Sequence, residues 1–241
     1  MAGGTIGCSG SCSGPAPSES LCNSAPTASN LQPTQGNNCG VSSPPVILSW
    51  TFSDPNGNGQ SAYQAKVYQG GVLAHDSGKV SSSSQQYAAP LGVLVYNTSY
   101  TWTLQVWDNY SIPAASGVLS GPIFTTPAHR YPSPDFTWSP ITPGENELAS
   151  FTDTSSSYGG SSLTAWSWVF QNGTPAGSTA QNPSASFSPI GQKSVTLQAT
   201  DSSGFSCTTS PPKTVNIGVP FPEWEEISPF GFDLLFPLVL R

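Results

Sequence analysis

The segment SYTWTLQVWD, Ser99–Asp108, decides the fold class because its large side chains recur at every second position. One face of this segment carries only large apolar residues: Tyr100, Trp102, Leu104 and Val106. Successive side chains of a β-strand point to opposite faces of the sheet, so this period of two predicts a strand that buries one face.

The same pattern continues on both sides of this segment. Further strands are predicted at Val46–Phe52, Ala62–Tyr68, Val72–Asp76, Gln85–Ala88 and Ile123–Thr126. Turn residues separate them, most clearly at Asp54–Gly59 and at Gly70-Gly71. The first half of the chain therefore consists of short strands joined by tight turns.

The second half repeats this style after TPAHRYPSP, Thr126–Pro134, whose three prolines predict a domain linker. Its predicted strands are Leu148–Phe151, Leu163–Phe170, Ala185–Phe187, Ser194–Thr200 and Lys213–Ile217. No segment has the period of an amphipathic helix. We therefore expect an all-β chain of two tandem immunoglobulin-like β-sandwiches with non-globular N- and C-terminal segments.

The predicted domain boundaries lie where the residue composition changes along the chain. The predicted parts are a Cys/Ser/Gly-rich N-terminal segment at 1–26, sandwiches at 27–127 and 134–217, and an apolar tail at 218–241. A length of 241 residues suits two domains of roughly 100–150 residues each.

The charge content excludes two classes of partner. Only 8% of the residues are charged, against about 25% in an average protein. The net charge is −7, and the six Lys and Arg residues are scattered along the chain. Nucleic acids and anionic membranes both require a basic surface, so neither is an expected partner.

Five cysteines indicate an oxidising compartment, and hence an extracellular or cell-surface location. Cys22 and Cys39 bracket the first strand of the first sandwich, so we predict a disulfide bond between them. A second bond is predicted between Cys8 and Cys12. Cys207 would then be free or would bond to another chain.

The first sandwich resembles a fibronectin type III domain over about 26–127. The resemblance lies in LSWTFSDP at Leu48–Pro55, which is similar to that family's second-strand tryptophan and following turn. Leu94 and Tyr100 match its Leu-x5-Tyr corner. The resemblance implies that the Tyr100 hydroxyl bonds back to the backbone.

The second sandwich resembles a PKD domain over about 134–217. Trp168–Gly173 stands where that family has W-D-F-G-D-G, with departures at Val169, Gln171 and Asn172. The family's following pattern is matched in register by Asn182, Pro183, Phe187, Gly191, Val195, Leu197, Asp201 and Gly204.

These resemblances imply a non-catalytic extracellular protein that acts as a spacer, an adhesin or part of an assembly. The pairing is similar to that in bacterial surface and appendage proteins. We expect a structural or adhesive subunit of a cell-surface assembly or filament, which self-associates or binds another surface protein. The alternative is a set of carbohydrate- or protein-binding accessory domains from a larger secreted hydrolase.

No set of residues indicates catalysis. A serine nucleophile requires a histidine base, and the chain has only His75 and His129, both expected to be exposed. Glu145 and Glu147 could share one face of a strand as glycosidase carboxylates do, but a solvated edge is the simpler interpretation. We therefore do not expect an enzyme.

Asp54, Asn56 and Asn58 resemble the first half of a calcium-binding loop, with oxygen-bearing side chains at alternate positions. Calcium is the one cofactor this pattern suggests. Position twelve of such a loop is Ala65 here instead of glutamate, and a hydrogen-bonded turn is the competing interpretation.

The aromatic residues raise the prospect of glycan binding. Most of the tryptophans alternate on faces expected to be buried. Trp107 is out of phase with Trp102, so it is the best candidate for an exposed sugar-binding ring.

The C-terminal tail is strongly apolar although it follows the last predicted strand. Six of its large side chains have a period of two, which would place them on one face of a strand: Phe230, Phe232, Leu234, Phe236, Leu238 and Leu240. The stretch is interrupted by Asp233 and Pro237 and is shorter than the ~20 residues of a membrane span. We expect it to join a neighbouring subunit; folding back on its own sandwich and insertion into a membrane remain alternatives.

Overall fold

The computed structural model describes residues 23–219, and all regular structure within this range is β-strand. The predicted terminal segments lie almost wholly outside it. The first half contributes nine strands: β1 (Thr27–Gln35), β2 (Val46–Ser53), β3 (Gln60–Gln69), β4 (Val72–Asp76), β5 (Val80–Ser81), β6 (Gln86–Ala88), β7 (Ser99–Asp108), β8 (Leu119–Ser120) and β9 (Phe124–Thr125).

The second half contributes nine more strands. They are β10 (Phe136–Ser139), β11 (Ala149–Asp153), β12 (Leu163–Phe170), β13 (Gly173–Thr174), β14 (Gly177–Ser178), β15 (Ser184–Phe187), β16 (Gly191–Asp201), β17 (Ser206–Thr208) and β18 (Lys213–Ile217). The predicted all-β fold class is confirmed, with two immunoglobulin-like domains built from antiparallel sheets.

Contacts divide the described chain into two compact units. The first comprises residues 23–134 with Ser155–Ala165 and Ala199–Thr208. The second comprises Asp135–Thr154, Trp166–Gln198 and residues 209–219. The domain boundaries drawn from the sequence stay predictions.

Two sheets enclose the first core. One has the order β1-β2-β6, and the other has the order β4-β3-β7-β8, with β5 also paired to β3 and β9 to β7. Residues at alternate positions of β2, β3 and β7 fill the space between them, and Trp102 is 1% exposed. The backbone N–H of Val95 donates to the Tyr100 hydroxyl at 2.9 Å. This bond confirms the expected tyrosine corner.

The second core is dominated by aromatic rings. Its sheets have the orders β10-β11-β15-β13 and β14-β12-β16-β17, with β18 also paired to β16. Five buried rings meet between the sheets: Phe136, Phe151, Trp168, Phe170 and Phe187. Their centroids lie 5.0–6.2 Å apart in mostly tilted or edge-on pairs, a geometry that stabilises each contact by about 0.5–1.5 kcal/mol.

The disulfide pattern corrects the sequence prediction. Cys39 bonds to Cys207, with Cα atoms 5.6 Å apart, so the predicted Cys22–Cys39 bond is wrong and Cys207 is not free. Cys8, Cys12 and Cys22 lie outside the described residues. Short spacing made Cys22 the obvious partner for Cys39, but the position of Cys207 is set by the pairing of β17 with β16.

Candidate functional site

The turn between β2 and β3 contains the three residues of the calcium prediction. Asp54 Oδ1 accepts hydrogen bonds from the backbone N–H groups of Asn56 at 2.8 Å and Asn58 at 3.1 Å. The N–H of Gly57 donates to the carbonyl of Asp54, and Gly57 has φ of +79°. An aspartate that caps its own turn in this way fixes the loop without any ion.

Two residues that sequence reasoning missed extend this turn into a polar network. The Asn58 amide donates to Asn23 Oδ1 at 3.2 Å, and the Asn23 amide donates to Asp108 Oδ2 at 2.8 Å. Asp108 is fully buried at the end of β7, where Oδ1 accepts from the N–H of Ala114 at 3.0 Å. Only the fold brings Asn23 and Asp108 beside the turn, and no spacing in the sequence announces them.

One oxygen of the turn is relevant to the calcium prediction. Asp54 Oδ2 is buried and has no hydrogen-bond partner, so this carboxylate oxygen retains lone pairs for a hard ion. Asn56 Oδ1 already accepts from the N–H of Ser24 at 2.8 Å. Within residues 23–219 no three His, Cys, Asp or Glu side chains converge as metal ligands. Calcium binding at Asp54, Asn56 and Asn58 stays a prediction.

The expectation that both histidines are exposed is wrong. His129 is 9% exposed, with Nδ1 donating to the carbonyl of Arg130 and Nε2 2.9 Å from Ser203 Oγ. His75 is half-buried and lies 2.5 Å from the Tyr87 hydroxyl. Each ring packs against an aromatic neighbour, which the sequence pattern did not reveal.

Ser203, His129 and Asp201 are neighbours, but their geometry is not that of a catalytic triad. Asp201 Oδ2 lies 3.8 Å from Nε2, the same nitrogen that faces Ser203. A triad places its acid at the opposite nitrogen, which here bonds to a backbone carbonyl. Asp201 Oδ1 instead accepts from the N–H groups of Ser203 and Phe205, so this group holds a tight turn.

Glu145 and Glu147 stabilise the loop between β10 and β11. Glu145 Oε1 accepts from Ser188 Oγ at 2.7 Å, and Glu147 Oε2 accepts from the N–H of Gly144 at 2.6 Å. Both carboxylates therefore hold loop conformations.

The other candidate site is a possible interaction surface. It lies at the end of the second unit from which the C-terminal tail leaves. The N–H of Gly218 donates to the carbonyl of Pro143 at 2.9 Å, and the backbone N–H of Glu145 donates to the carbonyl of Gly218 at 3.1 Å. These bonds tie the chain end to the loop between β10 and β11. We call this end, formed by residues 140–148, 188–191 and 218–219, the exit pole.

The exit pole exposes apolar side chains from all three of its segments. The exposed residues are Ile141, Leu148, Ile190 and Val219. The predicted assembly residues, Phe230, Phe232, Leu234, Phe236, Leu238 and Leu240, lie outside the described residues.

Comparison with protein families settles the nature of both halves. Residues 30–118 match the Rha78A-like, N-terminal immunoglobulin domain family, and residues 129–216 match the PKD domain family. The chain carries an immunoglobulin-like domain followed by a PKD domain. Domains of these kinds are typically non-catalytic.

The chain is also similar to solved structures that are distant from it in sequence. The fibronectin(III)-like modules of Clostridium thermocellum CbhA are 14% identical, with 78% of this chain and 94% of that chain covered and a TM-score of 0.30. The FN1–FN3 domains of chicken CNTN1 are 13% identical, with 81% and 67% covered and a TM-score of 0.41.

A third similar structure is the α-L-rhamnosidase of Dictyoglumus thermophilum. It is 14% identical with a TM-score of 0.33, and 80% of this chain but only 30% of that enzyme is covered. No curated protein matches the chain.

The immunoglobulin-like domain has a half-exposed tryptophan and a shallow groove. Trp107 is partly exposed on β7, and the Lys79 ammonium lies 4.4 Å from its ring centroid. The groove lies between Tyr68 and Gln105 on the adjacent strands and encloses about 100 Å³. Pockets that bury a small molecule hold about 300–1,000 Å³, so the groove does not enclose a sugar. Glycan binding at Trp107 stays a prediction.

Within residues 23–219 no helix is long and apolar enough to cross a membrane.

Proposed function

We propose that this chain is a non-catalytic extracellular structural or adhesive protein, a subunit of a cell-surface assembly or filament held partly by its apolar C-terminal tail. The supporting observation is that the PKD domain closes without the tail. β18 completes its sheet beside β16, and Gly218 is fixed to the loop at Pro143. The core residues Val215 and Ile217 are 0% and 4% exposed, so this core needs no further apolar cover.

The tail therefore has to bury its apolar side chains elsewhere. Six large residues recur with a period of two between Phe230 and Leu240. Burying one such side chain stabilises a complex by about 1.5–3 kcal/mol, and soluble monomers avoid leaving such groups exposed together. Strand addition to a neighbouring subunit would bury one face and satisfy the backbone; Pro237 favours an edge position.

The disulfide supports the proposed location. The Cys39–Cys207 bond requires an oxidising compartment, because cytosolic thiols are kept reduced. Immunoglobulin-like and PKD domains agree with an extracellular protein.

Deleting Gly231–Arg241 tests this function. We expect loss of high-mass species in sedimentation and of polymers in electron micrographs, with circular dichroism showing that both domains remain folded. Unchanged assembly would contradict the proposal. A lower Tm in a protein that is already monomeric would instead indicate that the tail folds back on its own domain. Flotation of the intact chain with liposomes, lost on deletion, would indicate a membrane anchor.

A second function is favoured by the family of the first domain. That family is described as the N-terminal immunoglobulin domain of Rha78A-like proteins. This description agrees with an accessory binding domain of a larger secreted hydrolase. Glycan-array binding that disappears in Trp107→Ala would support this function, and an enzyme domain encoded in the same gene would strengthen it.

A further inference from the structure

We propose that the exit pole of the PKD domain is the acceptor surface for the apolar tail, residues 230–240, of a second copy of this chain. This inference rests on the proposed function and adds the place where the tail binds.

The first observation is the exposure of apolar side chains at the exit pole. Ile141 is 71% exposed, Leu148 61%, Ile190 49% and Val219 72%. A single exposed aliphatic residue on a surface is ordinary, but several grouped at one end of a domain are typical of an interaction site.

Hydrogen bonds hold the three segments of the pole together, so the grouping does not depend on loose loops. The N–H of Asn146 donates to the carbonyl of Phe187 at 3.0 Å, next to the turn that carries Ile190. Gly191 pairs with Ile217, two residues before Val219. The pole is therefore a preformed surface, which lowers the entropic cost of binding.

The second observation is that the tail matches this surface chemically. Its alternate residues are phenylalanine and leucine, which are chemically suited to pack against the aliphatic residues of the pole. Arg241 follows Leu240, and the pole carries the carboxylates of Glu145 and Glu147. Opposite charges beside an apolar contact favour one orientation of the bound strand.

The third observation favours the tail of a second copy over the chain's own tail. The tail departs from Val219, which is itself part of the pole, so self-docking requires the chain to reverse over its own starting point. The connector carries Pro220, Pro222 and Pro229, and a residue that precedes proline favours extended backbone. Ten residues, 220–229, span up to about 33–36 Å when extended, which is long enough for the apolar segment to reach a second copy.

Photo-crosslinking of the full-length chain identifies the occupant directly. A benzoylphenylalanine is placed at Leu148 or at Ile190, and copies labelled with heavy and light isotopes are mixed before assembly. We expect crosslinks to residues 230–240 that join heavy and light chains. If crosslinks to residues 230–240 form but none joins a heavy chain to a light chain, the chain's own tail binds the pole and the proposal is overturned. Crosslinks to a region other than residues 230–240, or no crosslinks at all, would also overturn it.

A paired substitution tests the energetics. Leu148→Ser combined with Ile190→Ser should raise the concentration required for assembly by about a hundredfold, since each of the two lost apolar contacts is worth a factor of about ten or more. Val169→Ser is the matched control, because Val169 is 58% exposed on β12 of the same unit. We expect that control to change the threshold by less than about twofold.

The outcomes separate this inference from the function on which it rests. If the tail deletion abolishes assembly but the pole variant assembles like the unmodified chain, the acceptor assignment is wrong and the proposed function stands. If the tail deletion assembles normally, both are wrong. The crosslinking result decides the inference even if the pole variant fails to fold.

Discussion

Cys39 and Cys207 are bonded to each other although 168 residues separate them in the sequence. The bond closes a loop that contains every strand from β2 to β16. Both cysteines belong to the first compact unit, because Ala199–Thr208 packs with that unit. A segment that follows most of the PKD domain in sequence is thus covalently fixed to the loop before β2.

Breaking this bond should destabilise the first unit. Cys207→Ser is expected to lower the free energy of unfolding by about 2–5 kcal/mol, because a long closed loop restricts the unfolded chain strongly. Urea unfolding followed by tryptophan fluorescence measures this change. Cys39→Ser should have the same effect, and the double variant should add nothing. Cys22→Ser is the control, and a loss of stability in that variant as large as in Cys207→Ser would contradict the pairing.

Gly121 should tolerate no side chain. A Cβ at this position would stand 2.0 Å from Cε2 of Trp102, whose indole is 1% exposed and donates to the carbonyl of Pro122. Gly121→Ala is therefore expected to cost about 1–3 kcal/mol, since the ring cannot move without disturbing the core. Gly117→Ala is the matched control, because a Cβ there meets no atom within 4 Å. Equal Tm values for these two variants would contradict the packing.

The ion pair of Asp135 and Lys213 predicts a pH dependence of the second unit. Lys213 Nζ lies 2.5 Å from Asp135 Oδ1, and this hydrogen bond holds the pKa of Asp135 below its ordinary value. A carboxyl group whose pKa is lowered by folding stabilises the folded state at any pH above its pKa in the unfolded chain, about 3.9. That stabilisation is lost as the pH falls through the pKa of the folded state. Asp135 is more than half exposed, so the contribution should stay below about 1 kcal/mol.

Asp135→Asn tests this sign. The variant should be slightly less stable than the unmodified chain at pH 7 and equal to it once the pH has fallen below the folded pKa of Asp135. An NMR titration should place the Asp135 pKa under that of aspartate in an unfolded peptide. A difference in stability that grows on acidification would contradict the assignment.

Calcium should stabilise the immunoglobulin-like domain if Asp54, Asn56 and Asn58 bind it. The stabilisation would reach about 2.7 kcal/mol at a calcium concentration one hundred times the Kd. Differential scanning calorimetry with a chelator and with millimolar calcium measures it. Asp54→Asn keeps an oxygen that can accept the turn bonds but removes the charge, so it should abolish the calcium effect and leave the turn. Equal Tm values with chelator and calcium in the unmodified chain would leave only the turn.

Period-two patterns located the buried strands because burial on one face imposes that period. The predicted segments Ser99–Asp108, Leu163–Phe170 and Lys213–Ile217 coincide with β7, β12 and β18. The bounds of β1 were not predicted, since a polar strand at the edge of a sheet buries little: only Ala28 in it is buried, and its register with β2 shifts between Ser29 and Gln32. β17 has three residues, too few for a period.

The candidate sites were less predictable than the strands. The turn at Asp54–Gly59 was visible because its residue types favour a turn locally. Its partners Asn23 and Asp108 lie 31 residues before and 54 residues after Asp54 in the sequence, and no local pattern joins them. The exit pole likewise assembles isolated aliphatic residues from three separate segments.

The sequence by itself determined the all-β class, the two domain families, the core faces of the main strands and the apolar character of the tail. Each of these depends on residues close together in the chain, where alternation, turn chemistry or a motif leaves a direct signature. Only the tertiary structure decided that Cys39 pairs with Cys207, that His129 is buried and that Ile141, Leu148, Ile190 and Val219 share one end of a domain. Those relationships depend on how distant strands pair, and strand pairing brings together residues whose separation along the chain carries no information about their distance in space.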